Sequence, residues 1–366
     1  MTSLDTFNDK LLEGTSRSFY LTLKRLPESV KGQIGLLYLL ARISDTIADS
    51  PEGEKEYLLD LLRDYNERAQ GRSETMPDFT KLSEVQKNPS EAALLIGAHG
   101  PVGLLDQSSE TDKDLIRKCL GIIIGGQELD LLRFSGNEEG GISCLKNYNE
   151  MDDYAYRVAG SVGEFWTEIC LNHAFKVADS ERREMLDAGT RFGKALQLIN
   201  ILRDIPEDLS IRRCYIPSED LSGIGLVPED LLDKGNMDLF RPLMNTYIMK
   251  AEEHLLEAVR YIQMLPHRQY RLRAACMIPV IIGQRTLELL KTENVLDGDN
   301  RIKVSRSEIR GIIRKVVLSI PSRKMSNSLF PDSALRSMQL KDEQNTQLRE
   351  RFNRATLSLI GTDVCS

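Results

Sequence analysis

An all-α fold is the prediction for this 366-residue chain, and three observations make it. Apolar residues recur at three- and four-residue spacings along most of the length. No stretch alternates apolar and polar residues with the β-branched, turn-punctuated texture of hairpins. Proline, glycine and small polar residues fall between the periodic segments, where helices start and stop. A hydrophobic share of 41% is enough for a real core, and nothing in the composition points to disorder across the main body.

Taken in order, a short N-terminal helix breaks at Gly14-Thr15-Ser16-Arg17-Ser18, and Phe19 to Leu26 resumes it. Pro27 and Glu28 open the next helix in the position proline tolerates best. Glu54 to Ala69 is helical, Gly71 to Thr80 a polar loop, and helices follow near Lys81 to His99, Pro101 to Leu105 and Thr111 to Phe134. The glycines at 136, 140 and 141 mark a turn; they lack the preceding strand of a phosphate loop, which argues against a nucleotide cradle. Asn147 to Val177 reads as one long helix, in which Gly160 and Gly163 permit close approach by a neighbour. Glu181 to Asp204, Pro228 to Leu232, Phe240 to Met264 and Tyr270 to Lys291 continue the series, with Pro279 kinking the last. Ser305 caps a final helix to Leu318. Beyond Pro321 the chain turns polar, with a loop over Ser326 to Ser333 and a weak helix from Ser337 to Thr356. Residues 1–320 therefore read as one helical domain and 321–366 as a loosely attached tail. There is no internal repeat at a fixed period.

The net charge of −7 argues against a nucleic-acid partner, which needs a clustered basic surface. Six scattered cysteines with no CxxC pair and only four histidines leave no zinc pattern and suit reduced thiols in a cytosolic protein. The N-terminus carries acids where a secretory signal has a basic region. The longest apolar run, Ala274 to Gly283, is about half of what a membrane-spanning helix needs. A cytoplasmic chain without a transmembrane helix is expected.

Two stretches carry the chemistry. Ile34 to Asp49, IGLLYLLARISDTIAD, reads as a helix with no water-facing side, yet Tyr38, Arg42, Asp45 and Asp49 share one narrow arc. Unpaired charge on a buried helix is costly, so that arc faces a cavity, a partner charge or a metal. An internal Arg42–Asp45 salt bridge explains the first stretch equally well when it is taken alone. The second stretch, QLINILRDIPED, sets Gln197, Asn200, Asp204 and Asp208 in one stripe at spacings of three, four and four. With Lys194, Arg203 and Glu207 beside it, an ordinary surface helix explains that stripe, and Pro206 puts Asp208 past a kink or at the helix end. Together the stretches say more. Carboxylates converging from two helices repel unless cations lie between them, and Mg²⁺ is typically held by a few carboxylates together with substrate phosphates. Interleaved arginines suit a bidentate grip on phosphate oxygens. The combined reading is a magnesium-bridged diphosphate site in a helical bundle.

Four motifs in order, SRSF (16–19), YLLARISDTIAD (38–49), DYAYRVAGSVGEFW (153–166) and LQLINILRDIPEDLSIRRCYIP (196–217), resemble those of the squalene and phytoene synthases, the head-to-head prenyl diphosphate synthases. The resemblance covers roughly residues 5 to 290. It implies an isoprenoid-synthase-type helical bundle around a central apolar cavity. It also implies that Asp45, Asp49, Asn200, Asp204 and Asp208 bind Mg²⁺ and the diphosphates, and that Tyr154 is the catalytic tyrosine; without the resemblance Tyr154 reads as a buried helix-face ring. Arg42, Arg203 and Arg213 map onto diphosphate-gripping arginines, and Ser16, Phe19, Tyr38, Gln197 and Tyr215 onto positions near substrate. NRIKVSRSE (300–308) extends the likeness toward the squalene-forming, NADPH-using members, with Lys303 matching and Arg306 one residue beyond Ser305, where the pattern has arginine. Ala48 replaces a further acid common in squalene-forming relatives. The resemblance thus implies condensation of two molecules of farnesyl diphosphate through presqualene diphosphate to squalene. A reaction ending at dehydrosqualene or presqualene diphosphate, phytoene synthesis from geranylgeranyl diphosphate, and a non-catalytic prenyl-lipid scaffold are the alternatives. So apolar a product makes peripheral membrane contact an expectation that liposome co-sedimentation would settle.

Overall fold

A computed structural model describes residues 23–50, 54–134 and 141–331. Helix dominates it. The helices are α1 Glu28–Ala48, α2 Lys55–Ala69, α3 Thr80–Glu84, α4 Pro89–Ile96, α5 His99–Gln107, α6 Glu110–Phe134, α7 Tyr148–Ala155 and α8 Ser161–His173. They continue with α9 Asp179–Arg203, α10 Ile205–Ser210, α11 Ser218–Gly223, α12 Met237–Met264, α13 Tyr270–Thr292, α14 Arg306–Ser319 and α15 Arg323–Asn327. A parallel two-residue ladder joins β1 Ser143–Cys144 to β2 Arg213–Cys214.

Helix α9 is central and packs on α8, α12 and α13, while α1 packs on α6, α2 and α8. The expectation for α1 holds: Ile34 through Leu37, Leu39, Leu40, Ile43, Ser44 and Thr46 through Ala48 are buried around nearly its whole circumference. The close approach expected at Gly163 is also present, and glycines supply its other half. A Cβ on Gly163 would stand 1.9 Å from the Gly189 carbonyl oxygen, and one on Gly193 2.0 Å from that of Ala159. Backbone meets backbone there, with the Thr167 hydroxyl of α8 packed against Gly189 of α9 beside it.

Several boundaries differ from the sequence reading. The helix expected over 81–99 is two, because Asn88 accepts from the Ser90 N–H and Pro89 opens a new helix at its first turn. The long helix from 147 ends at His173 and contains a π-helical turn, Tyr156–Gly160. Pro279 lies inside α13 without ending it. Pro206 neither kinks nor terminates α9; the helix stops at Arg203, Asp204 caps it, and Pro206 sits in the first turn of α10.

Past residue 320 the described chain continues in a further helix. Residues 323–327 form α15 where a loop was expected from 326, and they are firmly docked. Fully buried Arg273 donates to Ser326 Oγ at 2.8 Å and to the Ile320 carbonyl at 3.3 Å, Arg323 donates to the carbonyls of Gln263 and Leu265, and Phe330 is buried. Polar composition hid this docking, because its anchors are hydrogen bonds to backbone at distant positions. The helix expected at 337–356 lies outside the described residues. Among the described residues no helix is long and apolar enough to cross a membrane.

Candidate active site

A cavity of about 300 Å³ opens between α1, α6, the α7–α8 segment, α9 and the end of β2. Ala41, Asp45, Ala48 and Asp49 come from α1 and its cap, and Ile123, Gln127, Asp130 and Leu131 from α6. Tyr154, Val158 and Val162 face it at four-residue spacing across the π-helical turn; the wider turn keeps such positions on one face. Gln197, Arg213 and Tyr215 complete the wall.

The local backbone explains how the second motif reaches the cavity. Arg212 adopts φ 62°, a left-handed conformation uncommon for a side-chain-bearing residue, and turns the chain from α10 into β2. Pairing with β1 then fixes the strand, with Ser143 N–H on the Arg212 carbonyl and Leu145 N–H on that of Cys214, both at 3.1 Å. Arg213 and Tyr215 alternate with buried Cys214 and face the cavity.

Asp45 and Asp49 close α1 at its C-terminus, where the negative end of the helix dipole disfavours carboxylates, whereas Asp204 stands between the C-terminus of α9 and the N-terminus of α10, with Asp208 in the first turn of α10. Arg213 Nη1 lies 3.8 Å from Asp49 Oδ1 and shares a small hollow with Asp208, so this arginine stands between an acid of each motif. Tyr154 stacks on Tyr215 with centroids 4.6 Å apart, and the Tyr215 hydroxyl donates to Asp130 Oδ2 at 2.8 Å. Asp45 accepts from Gln127 and faces Arg42 at 3.9 Å. Arg42 itself is held chiefly by Glu91 of α4, so the proposed internal salt bridge is the weaker half of its environment.

Asp204 stands apart. It does not line the cavity; Arg203 Nε donates to its Oδ1 at 2.8 Å and Arg301 Nη2 reaches the same oxygen at 3.1 Å. Asn200 and Tyr38 are half-buried. Lys303 and Arg306 are exposed, and the residue of NRIKVSRSE that reaches the acidic motif is Arg301. Ser16 and Phe19 lie outside the described residues.

Gln127 and Asp130 were not singled out in the sequence, although three polar residues, Gln127, Glu128 and Asp130, in the otherwise apolar run IIIGGQELDLL were a visible signal. Glu91 and Arg301 gave none, since they meet their partners only through the fold, 49 and 97 residues away.

The electrostatics favour a cation. Burial, and then the charge of Asp49, push Asp45 up to about 6. Burial, and then Asp204, push Asp208 up to about 7. Burial raises Asp130 to about 6 and raises Asp49 as well. Asp204 is the exception: burial raises it, but hydrogen bonds from Arg203 and Arg301 hold it below the usual carboxylate range. Burial keeps Tyr154 and Tyr215 protonated. Asp130 Oδ1 is buried without a hydrogen-bond partner. Among the described residues no three metal-ligating side chains are already gathered as a cation site, yet the crowded, undercompensated carboxylates fit divalent ions in charge and donor type.

A pH-dependent metal effect follows. A carboxylate whose folded pKa is raised stabilises the fold fully below its unfolded value near 4, and loses that contribution as pH rises through about 6 to 7. Above that window the ionised site is destabilising unless a cation enters. Magnesium with pyrophosphate should therefore raise the melting temperature more at about pH 8 than at about pH 5.5. An increment equal at both pH values would contradict this.

The helical class the fold defines is shared with solved proteins: the chain superposes on TcSQS, solved with a bound ligand, with a TM-score of 0.73 at 20% identity, over 89% of this chain and 90% of that one. The chain belongs to the squalene/phytoene synthase family, whose pattern matches residues 12–308. Relatives include the bifunctional lycopene cyclase/phytoene synthase of Arthroderma gypseum, 29% identical over 300 residues, and squalene synthase ERG9 of Saccharomyces cerevisiae, 26% identical over 302. These alignments cover 81% and 80% of this chain, and 48% and 63% of the relatives. The chain thus spans about half to two-thirds of their length.

Proposed function

We propose that this chain joins two molecules of farnesyl diphosphate head to head, through presqualene diphosphate, and reduces the product to squalene with NADPH. The observation that carries the reading is Arg213, which stands 3.8 Å from Asp49 of the first motif, shares a small hollow with Asp208 of the second, and lines one cavity with the Tyr154–Tyr215 stack.

Arg213, Arg42 and Arg203 grip diphosphate oxygens. Magnesium held by Asp45, Asp49, Asn200, Asp204 and Asp208 would supply the charge that stabilises the departing diphosphate. Tyr154, kept protonated by burial, is suited to donate to a leaving-group oxygen rather than to act as a strong base. Ile123, Leu131, Val158 and Val162 keep water from the cationic carbon. The cavity suits the diphosphate and the reacting carbons; two C15 tails need more room. Lys303 and Arg306, exposed and basic, fit the phosphates of NADPH, which would supply the final hydride.

Relatives named for squalene and for phytoene make the C20 reaction the second reading. Incubation with farnesyl or geranylgeranyl diphosphate, with and without NADPH, and mass analysis of the lipids separates them. Squalene from farnesyl diphosphate and NADPH is expected. A C40 product, or a C30 product indifferent to NADPH, would overturn the reading, and magnesium-dependent binding without turnover would favour the scaffold.

A further inference from the structure

Arg301 closes over the second acidic motif from a distant part of the chain. It lies in the run between α13 and α14, 97 residues from Asp204. Its Nη2 donates to Asp204 Oδ1 at 3.1 Å while its Nε stands 2.7 Å from Glu207 Oε1. One guanidinium thus forks over two carboxylates three residues apart. With Arg203 donating to both oxygens of Asp204 from the other side, that carboxylate has cations on two flanks. The cavity carboxylates differ: Asp49 has Arg213 at 3.8 Å, and Asp45 has Gln127 with Arg42 at 3.9 Å.

The run that carries Arg301 is seated on the protein. Val295, Leu296, Ile302 and Val304 are buried, and Gly298 lies against the Pro206 ring, where a Cβ would meet Pro206 Cβ at 3.6 Å. Residues 301 to 305 alternate outward and inward, so the backbone is pinned beside α10 while the long Arg301 side chain, 52% exposed, remains able to swing.

We propose that Arg301 is a latch: in the ligand-free chain its guanidinium takes the place of a divalent cation at Asp204, and it transfers to the diphosphate when that ion arrives. The inference rests on the metal role of Asp204 given under the proposed function. A metal ion arriving at Asp204 repels both guanidinium groups on that carboxylate, and of the two Arg301, 52% exposed against 29% for Arg203, is the one with room to leave. The displaced guanidinium needs an anion, and a bidentate match with diphosphate oxygens is better than its single contact with Glu207. Arg301 is therefore a positioning residue that resists metal alone and favours metal together with diphosphate.

The test is direct binding of Mn²⁺, a spectroscopic stand-in for Mg²⁺, to the full chain, measured without and with inorganic pyrophosphate for wild type, Arg301→Gln, Arg301→Lys and Asp204→Asn. Arg301→Gln should bind Mn²⁺ alone about three- to fivefold more tightly than wild type, the scale of an exposed ion pair, and should bind pyrophosphate with Mn²⁺ more weakly by a similar factor. Arg301→Lys should fall between. A merely structural arginine would not move the two affinities in opposite directions. Unchanged or weakened Mn²⁺ affinity in a folded Arg301→Gln protein overturns the latch. Mn²⁺ affinity unchanged in Asp204→Asn overturns instead the metal reading on which it rests.

Discussion

Alanine at Asp45 or at Asp208 is expected to lower kcat by about 10³-fold or more, with helical circular dichroism unchanged. Each carboxylate stands in an environment that penalises its charge: both are raised well above the ordinary range by burial and by a neighbouring acid. A fold that needed only stability would gain by replacing them, because removing a poorly compensated charge relieves its neighbours. On the proposed function, their cost is offset when a cation and a diphosphate enter between the motifs. The variants should thus be inactive and, without ligand, at least as heat-stable as wild type above about pH 7. An active Asp208→Ala enzyme would remove Asp208 from the proposed metal site.

Gly163→Ala should be among the most destabilising single-methyl changes at the described residues. The added carbon would lie 1.9 Å from the Gly189 carbonyl oxygen, and backbone on both sides gives no side chain that can move aside. Relief requires α8 and α9 to separate, at a cost of about 3 kcal/mol, and α9 carries Gln197, Asn200 and Arg203. Urea unfolding should show a lowered midpoint together with loss of activity. Gly103→Ala, in α5 where nothing lies within 4 Å of the new carbon, is the matched control and should be neutral or gain up to about 1 kcal/mol from helix propensity. Equal midpoints for the two variants would show that the close helix contact carries no stability.

Much of this was legible along the chain because it is local. A helix apolar on every side but carrying Arg42, Asp45 and Asp49 announces its burial and its need for partners. Ser305 announces its cap, and it accepts from the Glu308 N–H as expected. The glycines at 160 and 163 signal a close neighbour. What the pattern could not supply was the identity of partners brought in by the fold: Gly189 and Gly193 opposite Gly163, Glu91 on Arg42, Gln127 on Asp45, Asp130 on Tyr215, and Arg301 on Asp204. Pro206 was ambiguous for a physical reason. The same ring that breaks a helix interior is well placed in a helix's first turn, and only the stop at Arg203 decides between them. The second motif is accordingly divided, Asp208 lying with Arg213 and Tyr215 around a small hollow beside the main cavity while Asp204 is held outside the main cavity by two arginines.

The account turns on the two acidic motifs serving one ion cluster around one diphosphate. Manganese bound in the presence of pyrophosphate, counted by electron paramagnetic resonance for Asp49→Ala, Asp208→Ala and the double variant, tests this most directly. A shared cluster predicts strong non-additivity, with each single variant losing nearly as much bound metal as the double. Independent losses that simply sum would mean that the motifs bind separate ions, and would contradict it.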